Sequence, residues 1–214
     1  MHPGKAALLL ITLLSLLTSC SSYEKAKANK LYVVGSIGTG VLGESSDEQG
    51  GVSISDQTME TATNLTGVLG YRFNIFALEL MFASLGKPEI QFEDQYTETH
   101  DANFIGGGFH WTWNWFDLKV GYGNVKDTVK FENGPLGANI NFDPKSSSTS
   151  SLGAYFGIGA NFNLGKDTEF IFDYTGFAWE DDTKRSWTNG TASGSSDSKS
   201  NAYTLLSVGI RWFL

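Results

Sequence analysis

From Asn201 to Leu214 the chain alternates, residue by residue, between two kinds of side chain. Ala202, Thr204, Leu206, Val208, Ile210, Trp212 and Leu214 form an apolar or nearly apolar set. Tyr203, Leu205, Ser207, Gly209, Arg211 and Phe213 form the other, small or polar in the middle and aromatic at both ends. A period of two places the sets on opposite faces of a strand. Seven earlier segments repeat the pattern. The first runs from Leu31 to Leu42, with Leu31, Val33, Ile37 and Val41 on one parity, and the second from Thr61 to Phe73, where Leu65, Leu69, Tyr71 and Phe73 oppose Asn64, Thr66 and Arg72. The third, Ile75 to Gly86, sets Phe76, Leu78, Leu80 and Phe82 against Ala77, Glu79 and Ala83. In the fourth, Ala102 to Trp113, Ile105, Phe109, Trp111 and Trp113 oppose Gly106, Gly108, His110 and Thr112. The fifth, Phe116 to Asn124, sets Phe116, Leu118, Val120 and Tyr122 against Asp117, Lys119 and Gly121, with a continuation through Val129 to Phe131. The sixth (Leu152 to Leu164) and seventh (Thr168 to Trp179) alternate likewise, Asp173 and Thr175 opposing Phe170, Phe172 and Tyr174.

An apolar face that must be covered, opposite a face carrying Gly and charge, suits a strand with lipid on one side and a polar lumen on the other. The connections sharpen this. Those after the second, fourth and sixth segments are tiny, at Asn74, at Asn114-Trp115 and at Gly165-Lys166-Asp167. The others are long and polar: Glu44 to Glu60, Lys87 to Asp101, Asp127 to Ser150, and Glu180 to Ser200. Alternation of short and long links is what a barrel in an outer membrane shows, with short periplasmic turns and long outer loops. The fold predicted for residues 31–214 is therefore all-β, an eight-stranded antiparallel transmembrane up-and-down barrel with its termini on the periplasmic side.

Aromatic residues gather near the short turns: Phe73, Phe76, Trp111, Trp113, Trp115, Phe116, Phe162, Phe170, Trp212 and Phe213. At a membrane interface they would form a girdle. With this architecture the chain resembles the small eight-stranded outer-membrane barrels, the OmpA-transmembrane, OmpX and OmpW-like group. The resemblance implies that the C-terminal strand is read by the barrel assembly machinery, whose signal usually ends on an aromatic residue; here Leu214 comes last.

The first residues read as a secretion signal over 1–19, with Lys5 preceding an apolar segment from Ala6 to Leu17. Leu17-Thr18-Ser19-Cys20 resembles a lipobox, which makes Cys20 the lipidated N-terminus of the mature chain and residues 20–30 a polar tether. The rival is ordinary cleavage after Ala28. Cys20 is the sole cysteine, so no disulfide can form within the chain. Twenty-five Gly against 4 Pro, and 14% aromatic residues, favour short strands over helices. A net charge of -8 argues against nucleic acid as a partner.

Candidate chemistry lies on the lumen parity. Arg72, Glu79, Asp117, Lys119, Asp173 and Arg211 sum to zero charge, and all but Asp173 lie within a few residues of a short turn. An eight-stranded barrel is just wide enough for its own side chains. Charges buried there must pair, because an unpaired one costs several kcal/mol. Two readings follow, a polar plug closing the lumen and a narrow conduit for small solutes. His110 and Thr112, beside Glu79 and Asp117, faintly resemble the His-x-Ser pair of the outer-membrane lipid A deacylases, which gives a more distant hydrolase reading. Gly106-Gly107-Gly108 marks a bend or room for bulky neighbours. Two loops are acidic, with Glu44, Asp47, Glu48, Asp56 and Glu60 in the first and Glu89, Glu93, Asp94, Glu98 and Asp101 against Lys87 in the second. They are either solvated tips or a surface for receptors or for cation-bridged lipopolysaccharide. No calcium-type spacing occurs, and nothing calls for a metal or cofactor. The expected protein is a non-enzymatic monomer with outer-membrane lipid, lipopolysaccharide and the assembly machinery as partners.

Overall fold

The computed structural model describes residues 29–45, 57–92, 96–133, 141–143, 145–181, 185–188, 193–196 and 199–214. In chain order its strands are β1 (Lys30–Ser45), β2 (Gln57–Met59), β3 (Ala62–Phe73), β4 (Phe76–Ser84), β5 (Glu89–Phe92), β6 (Tyr96–Trp113) and β7 (Phe116–Asn133). Then come β8 (Asn141–Asp143), β9 (Ser146–Asn163), β10 (Thr168–Asp181), β11 (Arg185–Thr188), β12 (Ser193–Ser196) and β13 (Lys199–Phe213). Eight of them close on themselves, β1 pairing β3, then β4, β6, β7, β9, β10 and β13, which returns to β1. Every pairing is antiparallel. Closure leaves no free edge along the ring, the condition a sheet must meet in hydrocarbon. Among the described residues no helix is long and apolar enough to cross a membrane.

Two of the short turns are set by asparagine. Phe73 faces Phe76, and Trp113 faces Phe116, across two-residue loops whose first residues, Asn74 and Asn114, have φ of 68° and 57°. Asparagine tolerates this left-handed backbone better than most side chains, which is why the chain can reverse so tightly there.

The alternation of the sequence becomes an alternation of exposure. Leu65, Leu69, Leu78, Leu80, Phe109, Val120, Phe156 and Val208 stand on the outer wall at 40% to 62% exposure, a coat that only lipid would cover. The opposite parity is buried, with Tyr32, Val34, Met81, Phe104, Tyr155, Phe177, Tyr203 and Leu205 filling the lumen. Inside, the glycines make room. A Cβ on Gly108 would meet the Tyr155 hydroxyl at 2.4 Å, and one on Gly106 the Phe104 ring at 2.4 Å.

Two differences from the sequence reading stand out. First, β6, β7 and β9 are each 18 residues long, well beyond the ~9–11 needed to cross a bilayer. Much of what reads as loop within Lys87–Asp101 and Asp127–Ser150 is therefore paired strand. On this upper part the outward set turns polar (Asn103, Asn124, Lys126, Thr128, Ser148, Ser150), so the apolar alternation vanishes while the backbone ladder continues. Second, Phe213 is not in the girdle. It points into the lumen at 2% exposure, because it shares the parity of Arg211. The Arg72 guanidinium sits 5.0 Å over its ring. Cys20 and the acidic positions 47, 48, 56, 93 and 94 lie outside the described residues.

Candidate functional site

The lower lumen is a layer of ion pairs, each member brought inward by strand parity. Arg211 on β13 is fully buried and forks between two carboxylates, donating from Nη1 to Glu169 Oε2 at 2.7 Å and from Nη2 to Asp117 Oδ2 at 3.0 Å. Arg72 on β3 donates to Thr112 Oγ1 at 2.9 Å and lies 3.7 Å from Glu169 Oε1. Glu169 therefore joins the two arginines. His110 is wedged between carboxylates, with Nδ1 2.7 Å from Glu79 Oε1 and Nε2 2.9 Å from Asp117 Oδ1. An imidazolium satisfies both at once, since each ring nitrogen is then a donor. Tyr32 on β1 donates its hydroxyl to Glu79, and Asn161 on β9 donates to Asp117 Oδ1 at 3.0 Å. One layer higher, Lys119 on β7 donates to Asp173 Oδ2 on β10 at 2.6 Å.

All six charges singled out from the sequence are buried in the lumen. Four of them, Arg72, Glu79, Asp117 and Arg211, belong to one chain of contacts, while Lys119 and Asp173 pair with each other. Glu169 and His110 complete the set. Sequence reasoning missed Glu169 as a lumen charge, although it shares the parity of Asp173 in the same strand. With His110 charged, four cations (Arg72, His110, Lys119, Arg211) face four carboxylates (Glu79, Asp117, Glu169, Asp173). The balance matters because a charge taken out of water is tolerated only with a close partner. Further hydrogen bonds from neutral groups, as Tyr32, Thr112 and Asn161 make here, satisfy the remaining lone pairs.

Little space is left. Above this layer, between Val34, Met81, Lys119, Thr175, Phe177 and Leu205, the lumen holds a cavity of about 10 Å³. That is at the lower limit for one water molecule. Glu79, His110 and Thr112 do form a relay, His110 Nε2 lying 3.2 Å from Thr112 Oγ1. The hydroxyl is 3% exposed, accepts from Arg72, and shares the histidine nitrogen with Asp117.

A second buried cluster, absent from the sequence reading, sits high on the inner face of the β6–β7 extension. His100 Nδ1 is 2.8 Å from Asp127 Oδ2, and its Nε2 is 3.4 Å from Glu98 Oε1. Glu98, read from the sequence as part of an acidic loop, is completely buried. Asp101 of the same loop instead faces Lys87, at 3.3 Å. Among the described residues no group of His, Cys, Asp and Glu has the arrangement of a metal site.

Known proteins resemble the chain at the level of this fold. The family described as outer membrane protein beta-barrel domain matches residues 10–206. The solid-state NMR structure of the outer membrane protein AlkL in lipid bilayers is similar at 17% identity and a TM-score of 0.53, over 87% of this chain and 92% of that one. The crystal structure of OprG from Pseudomonas aeruginosa aligns at 15% identity and a TM-score of 0.47, over 88% and 97%. Ail, the attachment invasion locus protein of Yersinia pestis, aligns at 14% and 0.47, over 86% and 99%. No curated protein sequence matches.

Proposed function

This chain belongs to the outer membrane β-barrel family, and on that premise we propose that it is a non-enzymatic barrel of the bacterial outer membrane, closed to solutes and acting through what it displays outside. One observation carries the reading. With His110 charged, eight balanced groups fill the lower lumen, a cross-section already only side-chain wide, and the cavity beside Lys119 and Asp173 is about 10 Å³. A conduit needs a continuous water column, and the Arg72–Glu169–Arg211–Asp117–His110–Glu79 chain across the lumen supports the closed reading instead. The hydrolase alternative needs substrate at Thr112, and that hydroxyl is enclosed behind the barrel wall.

The surface role draws support from the long strands. β6, β7 and β9 carry the sheet beyond the apolar band, where Tyr96, Phe131 and Phe142 pack together and β8, β11 and β12 form a small sheet of their own. A paired-strand platform of this kind suits recognition by the connections it holds. Planar-bilayer recording of the refolded protein tests the closed lumen: no steady conductance is expected. Ohmic single-channel steps in the unaltered protein would replace the plug with the transport reading.

A further inference from the structure

The outer wall of the barrel carries a furrow of about 1020 Å³. Its floor is a row of outward-facing positions that follows the hydrogen bonds from strand to strand: Ile210, Gly35, Gly67, Phe82, Ile105 and Asn124. The adjacent row reads Val208, Ile37, Leu65, Ser84, Asn103 and Lys126. Both rows turn from apolar to polar in the same direction. Ile210 lies close to the short-turn end of β13, whereas Lys126 lies well up β7, so the furrow climbs obliquely across the wall.

Gly35 and Gly67 make the depression. They are directly paired, and a Cβ on either would meet nothing within 4 Å. The lumen glycines are required by a buried side chain, as Gly108 by Tyr155 and Gly70 by Tyr32, or by a neighbouring backbone, but no protein atom lies where a side chain on these two would go. Glycine weakens a strand and leaves its surface bare. Its presence opposite the bilayer creates space for something other than protein.

The chemistry of the furrow identifies the occupant. Four inter-strand steps from Ile210 to Ile105 span about 19 Å at ~4.8 Å each. At a tilt of ~45° this rises about 14 Å, against ~15 Å for one leaflet of a hydrocarbon core. An extended acyl chain fits that length. At the upper end Lys126 is the first charge above the apolar band of β7, after Val120, Tyr122 and Asn124. Lys130 follows on the same face, about 13 Å farther along the strand. Both are exposed, and neither makes an ion pair among the described residues. Lysine is a point charge suited to phosphate, and its long stem lets the ammonium reach head-group depth. Two lysines on one face match a head group bearing more than one phosphate.

We propose that this furrow binds one molecule of a multiply phosphorylated glycolipid of the outer leaflet, a lipid A. An acyl chain would lie over Gly35 and Gly67, and a phosphate would meet Lys126. The proposal rests on the orientation in which the long-loop end faces outward, and not on closure of the lumen. Full-length mature protein in detergent is to be mixed with bis-phosphorylated lipid A, phosphatidylglycerol or phosphatidylcholine, and retained lipid counted by native mass spectrometry. One lipid A per chain is expected to be kept, about tenfold better than phosphatidylcholine, the effect of one or two charge-assisted contacts. Lys126→Glu and Gly67→Phe should each lower retention about fivefold on the same grounds. Ala154→Phe, on the outer wall of β9 away from the furrow, should leave it unchanged. Lys126 lies on an exposed face, so Lys126→Glu reads out even if Gly67→Phe fails to fold. Equal retention of lipid A by wild type and Lys126→Glu would overturn the site, as would a preference for phosphatidylglycerol. Detergent binding does not depend on orientation in cells, which proteolysis decides separately.

Discussion

Arg211 shows how one side chain is fixed by what surrounds it. Its guanidinium presents donors in a planar fork, and the fork is filled by Glu169 on one side and Asp117 on the other, while Tyr32 places its ring 5.3 Å from the charge. Arg211→Ala leaves two buried carboxylates facing each other without their shared cation. That loss should cost about 3–5 kcal/mol, read as a shift in reversible urea unfolding of the detergent-folded barrel. Arg211→Lys keeps the charge but cannot bridge both partners, so its loss should fall between wild type and alanine. If alanine unfolds like wild type, the network does not stabilise the barrel. Parity alone puts Arg211 in the lumen. Its partnership with Glu169 depends on strand register, because Glu169 stands opposite Arg211 across β10 and β13.

Along a single element, β9 changes environment halfway. Ile158 and Ser148 point outward from the same face, one among lipid-facing residues and the other on the polar extension, where Ser148 accepts from the Thr128 hydroxyl at 3.2 Å. Ile158→Arg buries a charge in hydrocarbon and should cost roughly 2–4 kcal/mol near the midplane. Ser148→Arg meets water and should stay within about 0.5 kcal/mol of wild type. Equal losses in the unfolding titration would mean that the whole strand is immersed, and the apolar band would have to be redrawn. The break was invisible in the sequence for a physical reason. A two-sided polar strand has no hydrophobic period, and along this half only its partner β7 declares it a strand at all.

For the whole molecule, an even number of strands puts both termini at the short-turn end. The long connections then face the exterior if assembly proceeds as in other barrels of this class. Protease added to intact cells is expected to cut within residues 180–200 and to spare residues 21–30, and the mature chain should begin at an acylated Cys20 by mass spectrometry. Cutting confined to residues 21–30 would reverse the topology, and an unmodified start at Asn29 would remove the lipid anchor. An acyl anchor on the inner leaflet and a bound glycolipid on the outer one would fix the barrel to both leaflets.

Alternation by itself determined that the chain makes eight membrane-crossing strands, which residues meet lipid and which meet the lumen, because a side chain's face depends only on its position along its own strand. Arg72, Glu79, Asp117, Lys119, Asp173 and Arg211 were legible on that basis. Who pairs with whom was not, since partnership depends on the stagger between strands far apart in sequence. The doubly flanked His110 and the inward turn of His100 between Glu98 and Asp127 exist only once β4, β6 and β7 are in register, and the Glu169 bridge from Arg211 to Arg72 only once β13 and β1 have closed the ring. The furrow is of the same kind: Gly35 and Gly67 are ordinary glycines in two separate strands, and the register of β1 against β3 is what sets them side by side, with β4 and β6 carrying the same wall on to Lys126.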